Sequence, residues 1–353
     1  MLKGFLRSFN PVDVLTEQDV RAIHNGVLEV LETTGVTFQH KKALELFKEN
    51  GCKVDFNSRR VRFPGWIIEK CLRTTPSSFK LKARIPEHDL RIGGGRLHYL
   101  AGAGLRIVDL DTWETRPATV KELDEASIVS DALESIHIVA DTAPYTELVD
   151  VPPVIATLVD IISHVRNTTK ITMAAGSLDL EIFHIKIAKT VGVDMLAFLG
   201  SSAPLTYDRE SVESAVRHTE AGFPFNLVSS DMMGGTGPAT IAGSLVTTLA
   251  ETLAGVALIQ LMRPGTGIVA GDYTMPLDMR TGHPLFGDLG SSLHTAAFNQ
   301  VMRGYDIPTF ANCPSMCSSK TVDIQSGYER ALSTLAAAMS GANLIVLHGG
   351  VYG

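Results

Sequence analysis

The chain has 353 residues, 45% hydrophobic and 20% charged, the balance of a globular enzyme-sized protein with a substantial core. Its formal net charge of -7, with no run of Lys or Arg, excludes a general nucleic-acid binder. Four cysteines (Cys52, Cys71, Cys313, Cys317) without a signal-peptide pattern lead us to expect thiols in a reducing cytoplasm, not a disulfide framework.

Residues 1–85 differ in texture from the rest and read as an N-terminal α+β arm. TEQD, an N-cap followed by acids, opens a helix from Thr16 to Thr34, and a shorter helix runs from His40 to Asn50. The alternation in CKVDFNSRRVRFP predicts a hairpin turning at Asn57-Ser58, and PGWIIEKCL predicts another short helix. From residue 86 to 353 a different rhythm holds. Strands are expected at LHYLAGAG, IHIVADT, KITMAAG, MLAFLGS, FNLVSSD, GIVAGDY, PTFANC and LIVLHGG, with a hairpin in RIVDLDTWETRPAT. Helical patterns lie between them at Val120–Leu133, 153–166, 179–190, 208–220, 238–262, 289–303 and 325–339. Eight short apolar strands with a helix between each pair predict a closed (β/α)8 TIM barrel, with an open doubly wound sheet as the alternative. The apolar stretch from Pro238 to Met262 is interrupted by Thr, Glu and Gly and reads as a buried helix, not a membrane span. The sequence stops just after strand eight, so the eighth helix is missing. The exposed stripe this implies is expected to be covered by another chain, or the sequence is a shortened reading of a longer protein.

Ligands of parallel α/β folds sit at the carboxyl ends of strands. Those ends carry Tyr99 and Gly102, Asp141, Gly176, Ser201 and Ser202, Ser229 to Asp231, Asp272 and Tyr273, Asn312, and His348. Side-chain alternation along a strand places Phe225, Leu227, Ser229 and Asp231 on one face, Phe310 with Asn312, and Leu344 and Val346 with His348. Aromatic rings beside a carboxylate and one histidine describe a pocket for a small cation, since π faces attract a quaternary ammonium without a hydrogen bond. The candidate substrate-binding set is Tyr99, Phe225, Asp231, Asp272, Tyr273, Phe310, Asn312, His348, Gly350 and Val351, with no catalytic residue assigned. Cys313-x3-Cys317 lacks the further ligands of a structural zinc site. Lys170, at a strand start, and Lys320, in a loop, are poor Schiff-base candidates. GGTGPAT lacks the lysine of a phosphate loop and HGGVYG lacks a following helix. Glu251 is a lone acid in an apolar helix and reads as a partner of the fold.

Three blocks carry a resemblance: LTEQDVRAIHNGVLEVLETTGV, GPATIAGSLVTTLAETLAGVALIQLMRPGTGIVAG and SSKTVDIQSGYERALSTLAAAMSGANLI. They resemble the trimethylamine methyltransferase superfamily of corrinoid-dependent methylamine methyltransferases, over nearly the whole chain. The resemblance implies a TIM barrel that moves a methyl group from an amine to Co(I) of a separate corrinoid protein. The cobalamin-type cofactor then belongs to the partner and none is held tightly by this chain. No pyrrolysine is written here, and the chain is similar to the branch acting on quaternary amines such as glycine betaine; trimethylamine, carnitine and proline betaine are alternative donors. If the substrate is a betaine, His348 and the N–H groups of Gly350 and Val351 are expected to meet its carboxylate. A homo-oligomer in the cytoplasm, without membrane or nucleic-acid contact, completes the expectation. An aldolase-type lyase and a non-catalytic barrel that binds an amine or a corrinoid protein are the competing classes.

Overall fold

Each apolar segment of the second part satisfies its backbone only beside another strand and buries its outer face only under a helix, which drives the alternation into a layered α/β fold. The computed structural model describes residues 4–102, 106–140, 148–174 and 178–348. In chain order the repeating elements are β1 (Arg96–Gly102), α1 (Val120–Ala132), β2 (Ile138–Val139), α2 (Ala156–Asn167), β3 (Ile171–Ala174), α3 (Leu180–Val191), β4 (Met195–Gly200), α4 (Arg209–Ala221), β5 (Phe225–Ser229), α5 (Ile241–Met262), β6 (Ile268–Asp272), α6 (Leu289–Gly304), β7 (Thr309–Ala311), α7 (Ile324–Ser340) and β8 (Leu344–His348). The strands pair in sequence order, all parallel, and β8 returns to β1 in the register Leu344↔His98 to His348↔Gly102. That closing pair makes a TIM-type barrel and rules out the open sheet.

Local chemistry starts these helices where the sequence predicts. Thr119 and Glu122 form a reciprocal capping box at α1, and Asp208, Thr240, Asp288 and Asp323 cap α4, α5, α6 and α7. The expected hairpins also form, between Lys53–Asp55 and Arg60–Arg62 and between Ile107–Val108 and Thr115–Arg116.

The barrel core has two sides. Inside, Leu100, Ile138, Ile171, Leu196, Val269, Phe310, Leu344 and Val346 form one apolar cluster. A hairpin not anticipated from sequence, Ser78–Leu81 with Leu90–Gly93, adds Leu81, Leu90 and Ile92 to it and plugs the amino-terminal end of the barrel. This hairpin spans residue 85, where the sequence placed the arm boundary. Outside, β4, β5 and β6 pack on α4 and α5 in a larger cluster that continues into the N-terminal helices.

α5 is long and apolar enough to cross a membrane by length and composition, yet 78% of that window is buried. The barrel lies on one side of it, and the helices Glu17–Glu29 and Gly65–Thr74 pack on the other. A helix covered on both sides is apolar all round. The N-terminal part is joined to the barrel by a shared sheet: Thr206–Tyr207, in the loop after β4, pairs in parallel with Val36–Phe38. Tyr207 stacks on Phe38 at 5.0 Å and 13°. Among the described residues, successive helices pack against each other from α1 to α7.

Candidate active site

The mouth at the carboxyl ends of the strands is where luminal side chains emerge above the apolar plug. β8 follows the expected phase: Leu344 and Val346 belong to the luminal cluster and His348 is the next luminal position, partly exposed. Its Nε2–H donates to the Asn312 carbonyl oxygen at 2.9 Å. Its Nδ1 faces Gly102, where an added Cβ would lie 3.4 Å from that nitrogen and 2.7 Å from Val346 Cγ2. Phe310 is also luminal, 1% exposed, and part of the floor. Asn312, in phase with it, is partly exposed and directs Nδ2 toward Gly271 on β6. Tyr273 lies one step beyond β6 in phase with Val269 and Gly271. Burial, and secondarily the Cys313 thiol, push its phenol above the ordinary range.

Four candidates stand elsewhere. Tyr99 packs on the outer side of β1 with Leu97 and Leu347, its ring 5.6 Å from that of Phe5. Phe225 and Leu227 are fully buried against the helices, and Ser229 Oγ pairs with Thr252 Oγ1 of α5 at 3.0 Å. The lumen-facing residues of β5 are instead Asn226 and Val228. Asp231 follows the strand end and turns back against α5, with Thr248 Oγ1 3.5 Å from its Oδ2. Asp272 Oδ2 accepts from His294 Nδ1 at 3.1 Å and Thr295 Oγ1 at 2.8 Å, both on α6. The physical reason is common to these cases: a parallel barrel buries both faces of a strand, so apolar alternation does not say which face is inner. Gly350 and Val351, like Asp141 and Gly176, lie outside the described residues.

The reading also missed luminal residues. Phe198 and Met173 are partly exposed, in phase with luminal Leu196 and Ile171. Asn226 sits beside Phe198 in register and is 1% exposed. A polar Asn inside the apolar run FNLV was the signal that was available for it.

The displaced acids form a buried network behind the strands. Glu251 accepts from Ser201 Oγ at 2.5 Å and Leu205 N at 2.6 Å, while its carbonyl accepts from Tyr207 Oη at 2.9 Å. Burial raises its pKa against these bonds. Burial, then the charges of Glu251 and Asp272, push Asp231 up to about 7. Of the weaker motifs, Lys170 is spent on the carbonyls of Ser130 and Leu133, 2.8 Å each, at the closed end of the barrel. Cys313 and Cys317 contact Thr274 O and Ser326 Oγ, and no cluster of three metal-ligand types occurs among the described residues.

A barrel mouth lined, among the described residues, by Phe198, Met173, Asn312 and His348, with no acid–base pair among these groups, suits a transfer that needs positioning more than proton exchange. A model of the trimethylamine methyltransferase (MTTB) family matches residues 1–352. The chain belongs to this family. This methyltransferase is 30% identical over 349 residues to glycine betaine methyltransferase of Desulfitobacterium hafniense strain Y51, covering 96% of this chain and 72% of that protein. It is 29% identical over 342 residues to trimethylamine methyltransferase MttB of D. hafniense strain DSM 10664 / DCB-2, covering 94% and 68%. Among solved structures, the methyltransferase resembles monomethylamine methyltransferase MtmB of Methanosarcina barkeri with TM-score 0.58 and 11% identity, covering 94% and 74%. That last likeness is one of fold.

Proposed function

We propose that this methyltransferase takes a methyl group from a quaternary amine that also carries a carboxylate, glycine betaine being the type case, and passes it to Co(I) on a separate corrinoid protein. The observation that carries the reading is the sorting of charge at the mouth. Asp231 and Asp272 turn into the helix layer and the Glu251 carboxylate, on α5, is taken up by Ser201 and Leu205, whereas Asn312 and His348 turn to the lumen with the Phe198 ring. A cation held by ring faces, with its own carboxylate met by neutral or imidazole donors, fits such a mouth. The similarity to a glycine betaine methyltransferase supports the same choice.

The chemistry asks little acid–base work of the protein. The C–N bond breaks with its electron pair left on nitrogen, so a neutral tertiary amine departs without a proton donor. The acceptor supplies the pair for the new bond. The barrel binds the amine, aims one methyl outward and excludes water. The test is spectroscopic: mix the protein with a reduced corrinoid protein and follow loss of the Co(I) absorbance on adding glycine betaine. Methyl transfer from trimethylamine but not from glycine betaine, carnitine or proline betaine would overturn the betaine reading.

A further inference from the structure

Two side-chain amides of the lumen, Asn312 and Asn226, meet over Gly271. Asn312 is held at its backbone from one side by His348, whose Nε2–H donates to its carbonyl at 2.9 Å. Its own N–H reaches Asp272 O at 3.2 Å. Its side-chain Nδ2, in contrast, has only long contacts, 3.4 Å to Asp272 O and 3.3 Å to Phe310 O. On β5, the other neighbour of β6, Asn226 Oδ1 is buried with no hydrogen-bond partner, and the Asn226 Nδ2 reaches only the Met173 sulfur at 3.6 Å. The two amides meet over Gly271: a methyl placed there would lie 2.7 Å from Asn312 Nδ2 and 3.2 Å from Asn226 Oδ1. A side chain at 271 would wedge the amides apart.

A weakly satisfied donor facing an unsatisfied buried acceptor is a costly arrangement for an apolar barrel, where any aliphatic residue would fill the same layer. The two groups are complementary, and an amide nitrogen carries two protons. We propose that Asn312 is the carboxylate-specificity residue of this methyltransferase, aimed by Asn226 as a positioning residue. With substrate bound, one Nδ2 proton of Asn312 goes to Asn226 Oδ1 and the other to the substrate carboxylate.

The inference rests on the betaine reading and adds an orientation to it. Displacement at a methyl carbon runs in line, with the acceptor opposite the C–N bond. An acceptor carried by another macromolecule reaches the lumen from the mouth, so the methyl to be transferred points out and the carboxylate points in. Inward from the mouth, partly exposed Asn312 is the donor next to Phe310 of the floor, and its amide is neutral, so it does not repel the ammonium.

The experiment is calorimetric binding of glycine betaine and tetramethylammonium to the full chain and to three variants. Asn312→Leu should weaken glycine betaine about tenfold or more and tetramethylammonium less than threefold. Asn312→Asp keeps the shape but sets carboxylate against carboxylate: glycine betaine should be lost while tetramethylammonium binds as well or better. Asn226→Leu should repeat the selective loss in milder form, about threefold to tenfold. Because Asn312→Asp is isosteric, the contrast survives if the leucine variants fold poorly. Unchanged glycine betaine binding in both Asn312 variants, or equal weakening of the two ligands, overturns the inference and leaves the betaine reading standing. A wild-type chain that binds tetramethylammonium but not glycine betaine removes that reading, and the inference with it.

Discussion

At the scale of single residues, His348 and Asp231 show how the same strand-end position leads to opposite roles. His348 stays in phase with the lumen and bonds the carbonyl of Asn312. His348→Ala releases that carbonyl and should therefore raise KM for glycine betaine by about threefold to tenfold, the order of one neutral hydrogen bond. Kinetics with a carboxylate-free quaternary amine provide the control, because an equal loss there would mean that His348 serves the fold. Asp231 is turned out of the lumen and is 1% exposed, its pKa pushed up to about 7 first by burial and then by Glu251 and Asp272. A folded-state pKa above the unfolded value near 4 means that the native state binds the extra proton. Stability from this group is complete below about pH 4 and is lost as pH rises through about 7. Asp231→Asn, which cannot ionise, should gain about 1–3 kcal/mol on wild type between pH 5 and pH 8. Urea denaturation at the two pH values measures this; a difference that does not change with pH refutes it.

At the scale of elements, the loop after β4 is the joint of the molecule. Glu251 of α5 grips Ser201 and Leu205, and Tyr207 from the same loop carries the strand that pairs with Val36–Phe38. One buried carboxylate thus ties the barrel mouth, the central helix and the N-terminal sheet together. Glu251→Ala leaves a buried N–H and a hydroxyl unpaired, which costs about 2–5 kcal/mol. Amide exchange should then speed up together in residues 201–207 and 36–38. Acceleration confined to the loop would show that the shared sheet holds without Glu251.

At the scale of the whole molecule, some apolar side chains of the described residues stay at the surface. On the outer faces of β8 and β1, Ile345 and Leu97 are buried while Leu347 and Tyr99 are half-buried. Phe5, half exposed, lies on Tyr99, and Leu335 on α7 is 57% exposed. Exposed apolar side chains such as Phe5 and Leu335 recruit apolar probes. The chain should bind an environment-sensitive dye such as ANS at neutral pH, and Leu335→Lys with Phe5→Lys should reduce the signal. A monomer by ultracentrifugation with no dye binding would count against this.

The sequence alone was enough for the eight-step alternation, the N-cap at Thr16, and the buried rather than membrane-spanning α5. Each depends on periodicity or on bonds within a few residues. It also carried the family, because the three long blocks are specific. The luminal phase of β8 was legible because the strand ends in a polar residue, His348, after two apolar ones. The phase of β5 was not, since Phe225 and Val228 are both buried, on opposite faces, and only packing against α5 separates them. The strand at Thr206–Tyr207 was missed because its partner, Val36–Phe38, lies far away along the chain. Whether a carboxylate such as Asp231 or Asp272 faces substrate or helix was decided by tertiary structure, where a turn beyond the strand end and the hydroxyls of α5 and α6 outweigh the two-residue alternation.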